Sequence, residues 1–439
     1  MSSGSDSAND RSSGTDASGT DEGPAARLLA GQGGLKAWQE DLYRGLHEHP
    51  ELSDQESKTA ATAATVLRDA GFEVHEGIGT TGLVGVLRNG EGPTVLVRAD
   101  MDGLPMREET GLPYASTDQA TDSNGAVVPV AHACGHDVHV ASLLAAARLF
   151  AAERSAWRGT FIALFQPAEE TGAGAQEMVD DGLATSIPKP DVALAQHVLA
   201  YPSGSVGIVA GPFLSTAASM RITLHGRGAH GSMPHLAKDP VVLAAMIVVG
   251  LQAIVAREID PSAFAVLTVG RLAAGTKSNI IPDEAVIELN IRAYDDGTRL
   301  QLIDAIKRVV IGECAAAGTP KDPDFELYGE YPLTANDPAA TARVKAAFEA
   351  HFGDAVMSIP RQTASEDFSA IPAAFGIPYT YWALGGTDPE AWHRADAAGT
   401  LTESIPANHS PKFAPVLEPT LETGTAAIVV ASLAWLAAS

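Results

Sequence analysis

Five side chains able to hold a metal ion or move a proton fall within one short stretch: His132, Cys134, His136, Asp137 and His139. Thiolate and imidazole are soft or borderline donors suited to zinc and related ions. A lone buried cysteine is usually a small hydrophobe, and a lone histidine is usually a hydrogen-bonded core residue. Here the two types crowd together beside carboxylates, which favours a metal centre. A cysteine nucleophile is the rival reading, and a metal on its sulfur would make it a poor one.

The acids arrive from three apolar runs. Thr94–Arg98 leads into Asp100 and Asp102, Thr160–Phe165 into Glu169-Glu170, and Asp191–Ala195 into Gln196-His197. Ligands of open α/β sheets bind beyond the carboxyl ends of the strands, so these side chains are candidates for one site. Adjacent carboxylates repel unless something positive holds them. In Glu169-Glu170 one can ligate a metal while the other stays free as general base. His409, far along the chain, matters because a two-metal site needs more ligands than the earlier segments supply.

These groups must be positioned by elements that the hydrophobic pattern outlines. Helical spacing covers Leu35–Leu46, and Ser53-Asp-Gln-Glu56 reads as a capping box opening a helix to about Ala70. Strands are expected at Phe72–Val74, Gly82–Arg88, Thr94–Arg98, Thr160–Phe165 and Asp191–Ala195, with an Ala/Leu helix at Val138–Ala152. Strands alternating with helices imply an α/β fold: a mixed, mostly parallel sheet with helices on both faces. After Gly211 the order becomes strand, helix, strand, strand, helix, a compact α+β unit. The expected division is a disordered tail over 1–24, a first catalytic part over 25–212, an insertion over 213–319 and a second catalytic part over 320–439. The apolar stretches Val241–Val255 and Ala426–Ala438 read as buried helices.

Composition narrows the class. With 439 residues the chain is long enough for two domains, and the net charge of -25 disfavours nucleic acid, which needs clustered Lys and Arg. Cys134 and Cys314 are too few for a disulfide framework. With neither a signal peptide nor a membrane span apparent, the expectation is a cytoplasmic protein. No Gly-rich phosphate loop follows a strand, so nucleotide binding is disfavoured.

Taken in order, Arg98-Ala-Asp-Met-Asp-Gly-Leu-Pro105, His132-Ala-Cys-Gly-His-Asp-Val-His139, Gln166-Pro-Ala-Glu-Glu170, Gly228-Ala-His-Gly-Ser-Met-Pro-His235, Ser278-Asn-Ile-Ile-Pro282, Ser365-Glu-Asp-Phe368 and Asn408-His-Ser-Pro411 form a recognisable series. From about Ala25 onward the chain resembles the dinuclear metal amidohydrolases related to aminoacylase, hippurate hydrolase, N-acetyl-diaminopimelate deacetylase and the indole-acetyl-amino-acid hydrolases. The resemblance implies hydrolysis of N-acyl amino acids with two divalent ions per subunit (zinc, manganese or cobalt). Cys134 would bridge the ions, and His136, Glu170, His197 and His409 would complete their shells. Glu169 would be the general base, and Asp102 would orient a ligand. The insertion would be a lid and dimerisation domain, giving a homodimer or dimer-based oligomer. Its His230 would reach the partner's active site to stabilise the oxyanion, and Asn279 and Arg292 would hold the substrate carboxylate. A dipeptidase or carboxypeptidase of the same superfamily, and a catalytically inactive binding homologue, are the competing expectations.

Overall fold

The computed structural model describes residues 23–438. The tail expected over 1–24 lies outside this range except at its end, where Pro24 opens a short helix, Pro24–Leu29. In chain order the strands are β1 (Glu73–Glu76), β2 (Leu83–Asn89), β3 (Thr94–Asp100), β4 (Gly159–Gln166), β5 (Val192–Pro202) and β6 (Val206–Ile208). The insertion supplies β7 (Thr216–His225), β8 (Ala265–Ala274), β9 (Glu284–Ala293) and β10 (Asp324–Tyr331), and β11 (Val356–Met357) and β12 (Tyr379–Thr387) follow. The long helices are α1 (Gln32–Glu48), α2 (Ser57–Asp69), α3 (His136–Ala152), α4 (Pro240–Arg257), α5 (Asp296–Ala317), α6 (Pro338–Phe352) and α7 (Leu417–Leu436).

The main sheet has the order β1-β2-β4-β3-β5-β12-β6-β11. Its centre, β4-β3-β5-β12, is parallel, while the β1–β2, β2–β4 and β12–β6 pairs are antiparallel. Central strands buried on both faces must be apolar at successive positions. In β4, Phe161, Ala163 and Phe165 face one core and Ile162 and Leu164 the other. The long helices α1, α2, α3, α6 and α7 contribute to the first core. Short helices, Gly174–Asp180 and Ala370–Phe375 among them, cover the second face.

The insertion is a four-stranded antiparallel sheet, β8-β9-β7-β10, covered by α4 and α5. Its end differs from the expected residue 319. Strand β10 pairs with β7 along Asp324–Thr223 to Tyr331–Ala217, so the unit closes at Tyr331. This strand was hard to see because Asp324–Tyr331 buries no side chain fully, alternating between exposed and half-buried positions. The start also shifts: Phe213 and Leu214 belong to a short strand, Gly211–Leu214, that pairs with Thr334–Asn336 where the chain crosses between the two units.

Two local expectations also change. Ser53 and Glu56 do not cap α2; the N–H groups of Lys58 and Thr59 go instead to the Glu51 carboxylate at 2.9–3.1 Å. Ser53 and Glu56 turn toward the site described below. Helix α4 is not a buried helix: Leu243, Ile247, Leu251 and Ile254 pack on the sheet, but Val242, Met246 and Val249 are exposed, the last at 74%. The other apolar stretch, in α7, is buried as expected.

Candidate metal centre

The geometry of the sheet opens a crevice at its centre. Strand β3 pairs with β5 only as far as Arg98–Ala195, whereas β5 continues to Pro202 alongside β12. His197 therefore lies inside β5 rather than beyond its end, because the longer β12 extends the pairing through Ala383–His197 and further. It still stands two positions past the last β3 partner, at the mouth of the crevice. The Cys134–His136 segment fills that opening. Gly135 between them has φ 86°, and a Cβ there would meet Val198 Cγ1 at 2.3 Å, so the tight approach requires glycine.

Two non-glycine residues with positive φ also sit here, Ala168 before the Glu169-Glu170 pair (φ 51°) and His409 itself (φ 66°). Such strain persists only where surrounding contacts over-determine it. Those contacts are present. Glu56 accepts the Ala168 N–H at 2.8 Å, Asp102 accepts the Glu170 N–H at 3.0 Å and the Ser53 hydroxyl at 2.7 Å. The His409 N–H donates to the Ala133 carbonyl at 2.8 Å, and Asn408 Nδ2 donates to the carbonyls of Cys134 and Val198, both at 3.0 Å.

The side chains converge as two triads that share one sulfur. Ligand atoms of Cys134, His136 and His197 lie within 4.8 Å of one another, as do those of Cys134, Glu170 and His409. Each histidine of the first triad is oriented from behind. His136 Nδ1 is 3.2 Å from Asp102, and His197 Nδ1 donates to the Val198 carbonyl at 2.8 Å. Their Nε2 atoms are thereby left with free lone pairs toward the sulfur, the arrangement in which a carboxylate or carbonyl fixes a ligating imidazole. His139 is not in either triad. Its Nε2 accepts the Val198 N–H at 2.8 Å and its Nδ1 bonds Asp100, so it holds β5 in place. His132 is buried with both ring nitrogens unpartnered, and burial lowers its pKa to about 4.

Two observations fit divalent cations to this donor set. His136 Nε2 and Glu170 Oε1 are buried without a hydrogen-bond partner, though each faces other ligand atoms. Orphaned buried polar atoms are costly unless something coordinates them. The second observation is charge. Burial and then Glu366, Glu170, Asp367 and Asp102 hold the Glu169 carboxyl well above the usual range. Burial resists charge on His136, but Asp100, Asp102 and Glu170 outweigh it and raise its pKa to about 10. The field that would protonate this imidazole is the field that attracts cations.

Arg98 and the Ser365-Glu-Asp-Phe368 motif, whose roles the sequence leaves open, meet in the buried floor of the site. The fully buried Arg98 donates to Asp100 at 2.6 Å, Gln166 at 2.8 Å and Glu366 at 2.8 Å. Tyr381 also donates to Glu366, at 2.6 Å. This network supplies one positive charge beneath the acidic floor. Its bonded partners are separated by up to 268 residues, so no local pattern could have joined them.

A cavity of about 610 Å³ opens over the triads, lined by Cys134, Glu169, Glu170, His197 and His409 together with Arg292 from the insertion. Arg292 donates to the Thr363 carbonyl at 2.7 Å and to Ser365 Oγ at 3.1 Å. The other two insertion residues are elsewhere. His230 and Asn279 adjoin a two-stranded ribbon, joined by the Gly231 N–H to Asn279 carbonyl bond at 2.8 Å, and neither lines the cavity.

Comparison with known proteins agrees with this geometry. Residues 96–409 match the model of Peptidase family M20/M25/M40, and the chain belongs to that family of amide-bond hydrolases. It is 35% identical over 384 residues to thermostable carboxypeptidase 1 of Saccharolobus solfataricus, covering 86% of this chain and 91% of the relative. Hippurate hydrolase of Campylobacter jejuni is 36% identical over 335 residues, covering 75% and 83%. Among solved structures, a Bacillus subtilis protein described as a dinuclear metal-binding peptidase of the family superposes with TM-score 0.72 at 27% identity, covering 91% of this chain and 98% of that one.

Proposed function

We propose that the protein hydrolyses the amide bond of N-acyl amino acids, releasing a carboxylic acid and a free amino acid. The observation that carries this reading is the pair of triads sharing Cys134, with Glu169 beside them and a cationic side chain, Arg292, across the same cavity. Cys134, His136 and His197 would hold one divalent ion, and Cys134, Glu170 and His409 the other. Bound there, the ions supply Lewis acidity and lower the pKa of water toward neutral. The donor set suits zinc, manganese or cobalt.

The protein's own groups do the rest. Asp102 keeps His136 in one orientation and, through the Glu170 N–H, keeps the Glu169-Glu170 turn in register. Glu169, buried beside the triads, takes the proton from the attacking water and returns it to the leaving nitrogen. Arg292 pairs with the substrate carboxylate; Asn279, exposed and outside its own cavity, would reach a substrate only in a partner's site. Cytoplasmic location is part of the proposal, supported by two unpaired buried cysteines.

A second copy of the chain belongs to the same reading. His230 is exposed and outside its own cavity, so a role at an oxyanion requires a partner's active site. The open face of α4 supports pairing through the insertion.

The test is a substrate panel after metal stripping and separate reloading with zinc, manganese and cobalt, comparing N-acetyl and N-benzoyl amino acids with dipeptides. Glu169→Gln should retain both ions but lose about 10²–10⁴ in kcat. Near-normal turnover in that variant removes the base assignment. Faster cleavage of dipeptides favours the peptidase alternative, and metal binding without turnover of any substrate favours the inactive homologue.

A further inference from the structure

The catalytic cavity has an extension that the chemistry at the triads does not use. A groove of about 780 Å³ shares Leu199, Gln362, Ala407 and Asn408 with the cavity and continues past them along Tyr201, Trp392, Leu401 and Ile405. Its two long walls start beside metal-ligand candidates. One runs along β5 from Leu199, two residues after His197, to Tyr201. The other runs back from Ala407, two residues before His409, to Leu401. Arg292 lines the cavity but not the groove. A substrate carboxylate held at Arg292 therefore lies in the cavity and outside the groove, which leaves the groove free for another part of the substrate.

We infer that this groove is a subsite for a medium- or long-chain aliphatic acyl group. The inference rests on the amidohydrolase reading above and adds the class of acyl group. Three features support it. First, the five residues of β5 from His197 to Tyr201 span about 13 Å, four steps of roughly 3.3 Å each, far more than an acetyl group occupies. Second, eight of the fifteen lining residues are apolar or aromatic, Leu199, Tyr201, Trp392, Leu401 and Ile405 among them, and the charged members Glu403 and Lys412 are exposed. Third, the Ala200 carbonyl in the wall already accepts the Trp392 indole N–H at 3.0 Å, so a peptide laid along β5 would find that acceptor taken. A hydrocarbon chain needs no acceptor. The Trp392 N–H is also satisfied, which leaves the indole ring as apolar wall.

The experiment measures kcat/KM of the metal-loaded enzyme for a series of N-acyl-L-alanines with acetyl, butanoyl, hexanoyl, octanoyl and decanoyl groups, together with N-benzyloxycarbonyl dipeptides. The expected result is a rise of about two- to fourfold per added methylene, as apolar burial predicts, levelling off once the groove is filled. Trp392→Ala and, as a second variant, Leu401→Gln should each lower the decanoyl-to-acetyl ratio of kcat/KM by about tenfold, with thermal unfolding confirming that the variants are folded. A ratio that stays flat or falls beyond butanoyl overturns the inference while leaving the amidohydrolase reading intact. Dipeptides outpacing every acyl-alanine also overturns it, in favour of a peptide in the groove. No turnover of any acyl-alanine defeats the amidohydrolase reading itself, and the inference with it.

Discussion

Helix α3 in the catalytic body has 14 of its 17 residues buried, whereas α4 in the insertion buries 6 of 18. Both are apolar in sequence. The body closes over α3 with the sheet on one side and α1, α2 and α7 around it, so it needs no other molecule to complete its core. The insertion supports α4 from one side and leaves Val242, Met246 and Val249 facing outward. The same contrast holds for the functional candidates. Those of the body meet within one chain. Those of the insertion divide: Arg292 reaches the cavity of its own subunit, and His230 and Asn279 do not. Apolar character alone therefore does not tell whether a helix is enclosed by its own fold or left open on one face.

The contrast can be broken experimentally, beginning with its largest expected effect. Cys134→Ala removes the sulfur common to both triads; metal content should fall for both ions and kcat by about 10³ or more, since loss of the ions removes both Lewis acid and activated water. Retention of two ions per subunit would contradict the shared-sulfur geometry. His230→Ala should lower kcat by about 10²–10³, the usual effect of losing an oxyanion donor, with metal content unchanged. Mixing that variant with Glu169→Gln should restore turnover, since a mixed dimer rebuilds one complete site. If mixing restores nothing, His230 does not act across subunits. Val249→Glu should shift the protein toward monomer in sedimentation while the insertion stays folded, because this side chain packs against nothing in its own chain. Arg292→Ala should raise KM by about 10–100-fold with a smaller change in kcat, as loss of a charge-assisted contact to substrate predicts.

The smallest effect concerns stability within the body. His47 bridges Asp137 at 2.7 Å and Glu108 at 3.1 Å. Burial opposes its charge, but these hydrogen bonds outweigh that and raise its pKa to about 10. A pKa raised in the folded state contributes stability that is complete below the ordinary imidazole value near 6.5 and is lost as pH rises toward 10. Thermal stability should therefore fall between pH 7 and 10, and His47→Gln should flatten that loss.

Much of the site was legible because its residues announce themselves locally. The Cys134–His136 cluster, the Glu169-Glu170 pair and His197 each follow an apolar run that is a strand or precedes a helix. Residues acting through distant partners were not legible. Ser53 and Glu56 matched a capping box by type and spacing, yet tertiary contacts to Asp102, Thr81 and Ala168 claimed both. Arg98 and Glu366 join only through the folded sheet. Strand β10 escaped notice because an edge strand with no fully buried side chain lacks the contrast that sequence patterning relies on.

The two triads differ in how much of the polypeptide they need. Cys134, His136 and His197 are all contributed before the insertion begins, within 63 residues of one another. The other triad waits for His409, which the chain supplies only after the insertion and most of the second catalytic part have been made. During synthesis, then, the residues of one triad exist long before those of the other. A chain cut short ahead of His409 would carry the first triad without the second, so the pair depends on residues made only after the insertion.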